Sequence, residues 1–71
     1  MELAEQLRLA LGRLDADDRD LIIWRHFEQL SVRDMAQILH ITEGAANKRY
    51  IRAVERLRKF IQDLGVSNPV R

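Results

Sequence analysis

Residues 31–57 contain a short apolar-periodic segment and the start of a longer, basic one, separated by a tight turn, and this spacing constrains the fold more than any other feature. Ser31 precedes the first segment and is followed three residues later by Asp34. Thr42 precedes the second segment, with Glu43 directly after it. Serine and threonine hydroxyls cap free backbone amides at a helix start, where acidic side chains also suit the helix dipole. Both segments are therefore predicted to begin as capped helices.

The two helices are predicted over 32–39 and 43–64, and only His40 and Ile41 lie between the end of the first helix and the cap of the second, Thr42. Helices joined this tightly cross at a steep angle, which is typical of a helix-turn-helix. In that motif the second helix enters the DNA major groove.

The second helix is predicted to have two opposed faces, since successive side chains are about 100° apart. The face expected to pack in the core carries Ala46, Tyr50, Ala53, Val54, Leu57, Phe60, Ile61 and Leu64. The face opposite its N-terminal half carries Gly44, Asn47, Lys48, Ile51 and Arg52.

The outward side chains have the chemistry of base readout. Asparagine pairs with adenine, arginine pairs with guanine, and Ile51 is placed to touch a thymine methyl. The segment 48–59 also concentrates cations against a single acid, Glu55: Lys48, Arg49, Arg52, Arg56, Arg58 and Lys59. A solvated helix face is the alternative for such a charge run, and the preceding helix-turn-helix favours DNA binding.

The length of the chain allows one small domain, and the helical patterns predict that this domain is all-α. The chain has 71 residues, no cysteine and no apolar run of membrane length, which fits a cytoplasmic protein without disulfides or thiolate metal sites. Residues 1–30 carry four basic and seven acidic side chains, whereas residues 31–71 carry eight and four. This asymmetry suits a protein that binds phosphate on one side only.

Two further helices complete a predicted four-helix domain over residues 1–64. They span 2–13 and 16–28, and Trp24 and Phe27 in the second are expected in the core, with a protein-binding groove at Trp24 as the alternative. Gly65 is the expected C-terminal cap of the last helix. Residues 65–71 are expected to form a frayed tail.

No enzyme, metal or cofactor site is predicted. His26 and His40 lie on different elements without partner ligands, and no nucleophilic triad or phosphate-binding glycine loop is visible. The acidic cluster lacks the spacing of a calcium loop, so helix capping and surface solvation are expected for it. Its members are Asp15, Asp17, Asp18 and Asp20.

Residues 10–60 resemble the fourth conserved region of bacterial sigma factors, and the extracytoplasmic-function group in particular. The phrase ITEGAANKRYIRAVERLR is similar to the second helix of that group's helix-turn-helix. Further matching positions are Leu14, Arg19, Arg25, Glu28, Leu30, Ser31, Ala36, Ile38 and Leu39.

The resemblance implies recognition of the −35 promoter element by a domain that docks on the β-subunit flap of RNA polymerase. An anti-sigma factor often masks such a domain. The DNA-binding residues expected from the resemblance and the outward face are Glu43, Gly44, Asn47, Lys48, Arg49, Ile51 and Arg52. Gln29 and His40 stand where the family often has glycine, so modest backbone strain or an altered turn is expected there.

Several alternatives remain open from the sequence. The domain that melts the −10 region of promoters is missing, and an excised domain is favoured over a stand-alone protein. A response-regulator effector domain has a similar shape, but its dimer would need a second apolar face on the last helix, so a monomer is expected. A polymerase-binding interaction module without DNA contact is the third hypothesis.

Overall fold

A computed structural model describes residues 3–64, which form four α-helices and no strand. The helices are α1 (Leu3–Arg13), α2 (Ala16–Ile22), α3 (Val32–Leu39) and α4 (Glu43–Asp63), and a π-helical segment (Ile23–Phe27) continues α2. The predicted all-α fold with a helix-turn-helix is confirmed. Glu2, the cap expected at Gly65 and the tail 65–71 lie outside the described residues.

The predicted helix starts are confirmed by side-chain hydrogen bonds. Ser31 Oγ accepts from the Asp34 backbone N–H at 3.0 Å, and Asp34 Oδ2 accepts from the Ser31 N–H at 3.1 Å, which completes a capping box. Thr42 Oγ1 accepts from the Ala45 N–H at 3.1 Å, and Asp15 caps α2 in the same way. These bonds satisfy backbone amides that a helix leaves unpaired.

The core lies where α4 packs against α1, α2 and α3. All eight residues predicted for the inner face of α4 are buried or half-buried, so that face is confirmed. The rest of the described chain contributes the buried apolar side chains Ala10, Leu14, Leu21, Ile22, Met35 and Ala36. This arrangement leaves the opposite face of α4 to solvent.

The π-helical segment corrects one expectation about the core. The Glu28 backbone N–H donates to the Ile23 carbonyl oxygen, five residues back, at 3.0 Å. This wider turn changes the angle between successive side chains. The buried positions of this helix are taken by Asp18, Leu21 and Ile22, and Phe27, at its C-terminal end, is 62% exposed, so its predicted burial is wrong, while Trp24 is half-buried.

Gln29 and His40 adopt left-handed backbone conformations, with φ of 59° and 58°. His40 is the C-cap of α3 and Gln29 follows Glu28, the C-cap of the π-helical segment, and at such helix ends glycine reaches this conformation without strain. The expected strain at these two positions is therefore present in the backbone.

Among residues 3–64, no helix combines the length and apolar composition that crossing a membrane requires.

Candidate nucleic-acid interface

The helix-turn-helix is held by contacts on both sides of its turn. His40 ends α3, and the Ile41 backbone N–H donates to the Ala36 carbonyl oxygen at 3.0 Å. Thr42 then caps α4, and α3 packs directly against that helix. The turn therefore fixes where the N-terminal half of α4 points.

All seven residues predicted to bind DNA are exposed. They are Glu43, Gly44, Asn47, Lys48, Arg49, Ile51 and Arg52. Within residues 3–64, no ion pair or side-chain hydrogen bond engages any of them. Their exposure agrees with the expectation, and their contact with DNA stays a prediction.

The outward face of α4 combines cations with one apolar side chain. Lys48, Arg49, Ile51 and Arg52 line a shallow groove with the small residue Ala45 between them. Ile51 is 46% exposed. Cationic heads around an accessible methyl group suit phosphates beside a thymine methyl in the major groove.

Arg56 lies on the flank of α4 that faces α2, and it is engaged there. Its Nη1 is 2.5 Å from Asp18 Oδ2, and this hydrogen bond and the Asp18 charge raise the pKa of Arg56 above its ordinary value. Asp18 is buried, so the expectation that its carboxylate is solvated is wrong. The partners are 38 positions apart, and the sequence carries no local signal for their pairing.

Tyr50 is held by a second contact that the sequence did not reveal. Its hydroxyl shares a hydrogen bond with His26 Nε2, and the two ring centroids are 5.7 Å apart. This contact ties the π-helical segment to α4. The orientation of α4 is therefore set from the side of α2 as well as from α3.

A second exposed surface lies between α1 and the π-helical segment. Its lining is mainly apolar, unlike the cationic outward face of α4. We call it the apolar groove; it is lined by Ala4, Leu7, Arg8, Leu11, Gly12, Arg19 and Phe27. Trp24, the residue suggested for a protein-binding groove, does not line it. The exposed Phe27 is its largest apolar side chain.

Residues 3–64 contain no group of three or more histidine or acidic side chains that could hold a metal ion. The chemistry available on the outward face of α4 is thus charge, hydrogen bonding and apolar contact.

The family model described as sigma-70, region 4 matches residues 4–57, which is well over half of the chain. No curated protein matches the chain.

Proposed function

We propose that this chain, which belongs to the sigma-70 region 4 family, recognises promoters through the outward face of α4. Domains of this family are the non-catalytic, DNA-binding parts of sigma factors, and they act at the −35 promoter element during transcription initiation. The finer assignment, to the extracytoplasmic-function group, rests on the resemblance of residues 10–60. The observation that carries the proposal is the exposed and unengaged state of the seven predicted DNA-binding residues.

Each outward side chain has a distinct role in this proposal. Asn47 and Arg52 read base edges, as a bidentate partner of adenine and of guanine respectively, and Ile51 contacts a thymine methyl. Lys48 and Arg49 neutralise phosphates, which fixes the register of the helix without reading sequence. Glu43 and Gly44 lie at the N-terminus of α4, where the backbone comes nearest to the duplex.

The role of Arg52 can be tested by substitution in a fusion of the domain to a polymerase core. Arg52→Ala removes the guanine contact and should weaken promoter recognition by roughly 1–3 kcal/mol. Arg58→Ala is the matched control, because Arg58 is equally cationic and exposed but lies further along α4. Equal transcription from the parent and the Arg52→Ala fusion would remove the proposed role.

Binding by the isolated domain should be weak and sensitive to salt. A single helix makes few contacts, and non-specific affinities are typically about 10⁻⁴ to 10⁻⁶ M at physiological salt. Fluorescence anisotropy with a labelled duplex over a salt series measures this. Affinity that stays constant as salt rises would rule out phosphate neutralisation by Lys48 and Arg49.

The apolar groove is the proposed docking surface for RNA polymerase. Polymerase core is the expected partner of the family, and its β-subunit flap is the expected contact. The groove has an exposed aromatic centre, Phe27, and a cationic rim, Arg8 and Arg19, which suits an amphipathic segment with acidic flanks. An anti-sigma factor could cover the same surface or the face of α4.

We propose that the domain is monomeric and acts in the cytoplasm, where promoter DNA and polymerase meet. Family membership favours this role over a response-regulator effector domain. A pure protein-interaction module would bind the flap but show no salt-sensitive affinity for duplex DNA. Selection of bound sequences from random duplexes, with the domain held on a flap fragment, would separate these roles and give the promoter sequence.

A further inference from the structure

The acidic start of α2 lies beside a row of arginines on α4. We call the two groups the acidic turn and the arginine row, and together they line one shallow cleft: Asp15, Asp17 and Asp18 on one side, Arg49, Arg52 and Arg56 on the other. The arginines are three and four positions apart, which places them on one side of the helix. Two of them, Arg49 and Arg52, belong to the predicted DNA-binding residues.

The three acids of the acidic turn are engaged to different degrees. Asp18 is buried against Arg56, and Asp15 Oδ1 accepts a hydrogen bond from the Asp18 backbone N–H at 3.2 Å. Asp17 is exposed and has no ion-pair partner among residues 3–64. The exposed carboxylates of Asp15 and Asp17 therefore leave negative charge at the edge of the DNA-binding face.

We propose that Asp15 and Asp17 act as an electrostatic brake, lowering the affinity of α4 for duplex DNA by repelling phosphates that approach the arginine row. This inference rests on the proposed DNA-binding function. The physical cause is the repulsion between like charges, which is felt within a screening length of about 8 Å at physiological salt. Arg49, which neutralises phosphates in the proposed function, attracts them to the same cleft that the two carboxylates line.

The brake acts on phosphates and therefore on every DNA sequence. Base contacts made by Asn47 and Ile51 on the opposite edge of the face are outside the cleft. Phosphate attraction alone therefore gives the isolated domain only a weak affinity for DNA. Stable binding then requires base contacts or attachment to a larger DNA-bound assembly.

Anisotropy with the full chain and a random-sequence duplex tests the brake. Asp17→Asn removes one negative charge and should tighten binding about two- to fivefold at low salt, as expected for one screened unit charge. Adding Asp15→Ser removes the second charge while a hydroxyl keeps the cap on α2, and should tighten binding further. Both gains should shrink between about 50 mM and about 200 mM salt.

Asp63→Asn is the matched control for net charge. Asp63 is exposed, lies outside the cleft and follows Arg52 by eleven residues, which is about 16 Å along the helix. That distance exceeds the screening length even at about 50 mM salt, where that length is roughly 14 Å, so this variant should bind like the parent chain. Melting curves of all variants check that the fold is kept.

Two results would overturn the brake, and they are distinguishable. If Asp17→Asn binds duplex no more tightly than Asp63→Asn at low salt, the acidic turn has no local effect, although DNA binding itself stands. If neither the parent chain nor any variant shows salt-sensitive duplex affinity, the proposed function fails and the brake fails with it.

Discussion

Asp18 in α2 and Arg56 in α4 form an ion pair whose two partners differ sharply in exposure, 12% for the Asp18 side chain and 53% for that of Arg56. Loss of the arginine leaves a desolvated carboxylate without its partner, whereas neutralising Asp18 leaves a guanidinium that water still reaches. We therefore expect Arg56→Ala to lower the free energy of unfolding more than Asp18→Asn does. Urea unfolding at neutral pH measures both losses, and a larger loss for Asp18→Asn would contradict this account.

The left-handed backbone at Gln29 predicts a stabilising substitution. A side chain held at φ of 59° costs on the order of 1 kcal/mol, and glycine removes that strain at some cost in unfolded-chain entropy. Gln29→Gly should therefore raise the free energy of unfolding by up to about 1 kcal/mol.

Gln37→Gly is the control for this prediction, because Gln37 is exposed within α3 and has ordinary helical geometry. There glycine should destabilise by about 1 kcal/mol. Thermal melting of both variants compares the two effects. The same sign at both positions would show that the strain at Gln29 is not relieved by glycine.

The capping box at the start of α3 predicts a pH dependence of stability. The Asp34 carboxylate accepts a hydrogen bond from the Ser31 backbone N–H, and this bond is the largest cause of the lowered pKa of Asp34. The hydrogen bond with the Ser31 side chain lowers that pKa further. Because the folded pKa lies below the unfolded value of about 3.9, the stabilisation is present above that pH and is lost as pH falls through the folded pKa.

Asp34→Asn removes this titration and tests it. The difference in unfolding free energy between the parent chain and Asp34→Asn should be constant near neutral pH and should shrink in acid. Ser31→Ala should cost about 1 kcal/mol at neutral pH through loss of the hydroxyl cap. A difference that does not change between pH 7 and acid would argue against the carboxylate as the source.

The inner face of α4 predicts a large effect at Leu57, which packs against Leu14, Ile22 and Ala53. Leu57→Ala should destabilise the fold by roughly 2–5 kcal/mol, near the lower end because the side chain is only half-buried. Ile51→Ala, on the outward face of the same helix, should change stability by no more than about 0.5 kcal/mol. Similar melting curves for the two variants would show that the inner face is misplaced.

The sequence predicted those parts of the structure that local spacing determines. Ser31 and Thr42 start helices through bonds to residues three positions away, and the two faces of α4 follow from a constant angle per residue. The exposure of Asn47, Lys48 and Arg52 needed no information from the rest of the chain. Their contact with DNA is a separate question that exposure does not answer.

Local sequence spacing does not predict features that depend on tertiary contacts. The ion pair between Asp18 and Arg56 and the contact between His26 and Tyr50 join residues that are far apart in the chain. Phe27 is apolar but lies beyond the buried positions Leu21 and Ile22 of the same helix, which its residue type alone does not show. Each case requires knowing which helices meet before the side chains can be placed.

The exposed Phe27 predicts a loss of polymerase binding that is separate from stability. Phe27→Ala should weaken binding of the domain to a β-flap fragment by about 2 kcal/mol or more if the ring fills the centre of the interface, as aromatic contacts commonly do. The fold should lose little, because the ring is 62% exposed. Ile38→Ala is the control, since Ile38 is similarly exposed, at 50%, on α3 outside the apolar groove. Calorimetric titration of both variants with the fragment compares them, and equal weakening by the two substitutions would place the docking surface away from the apolar groove.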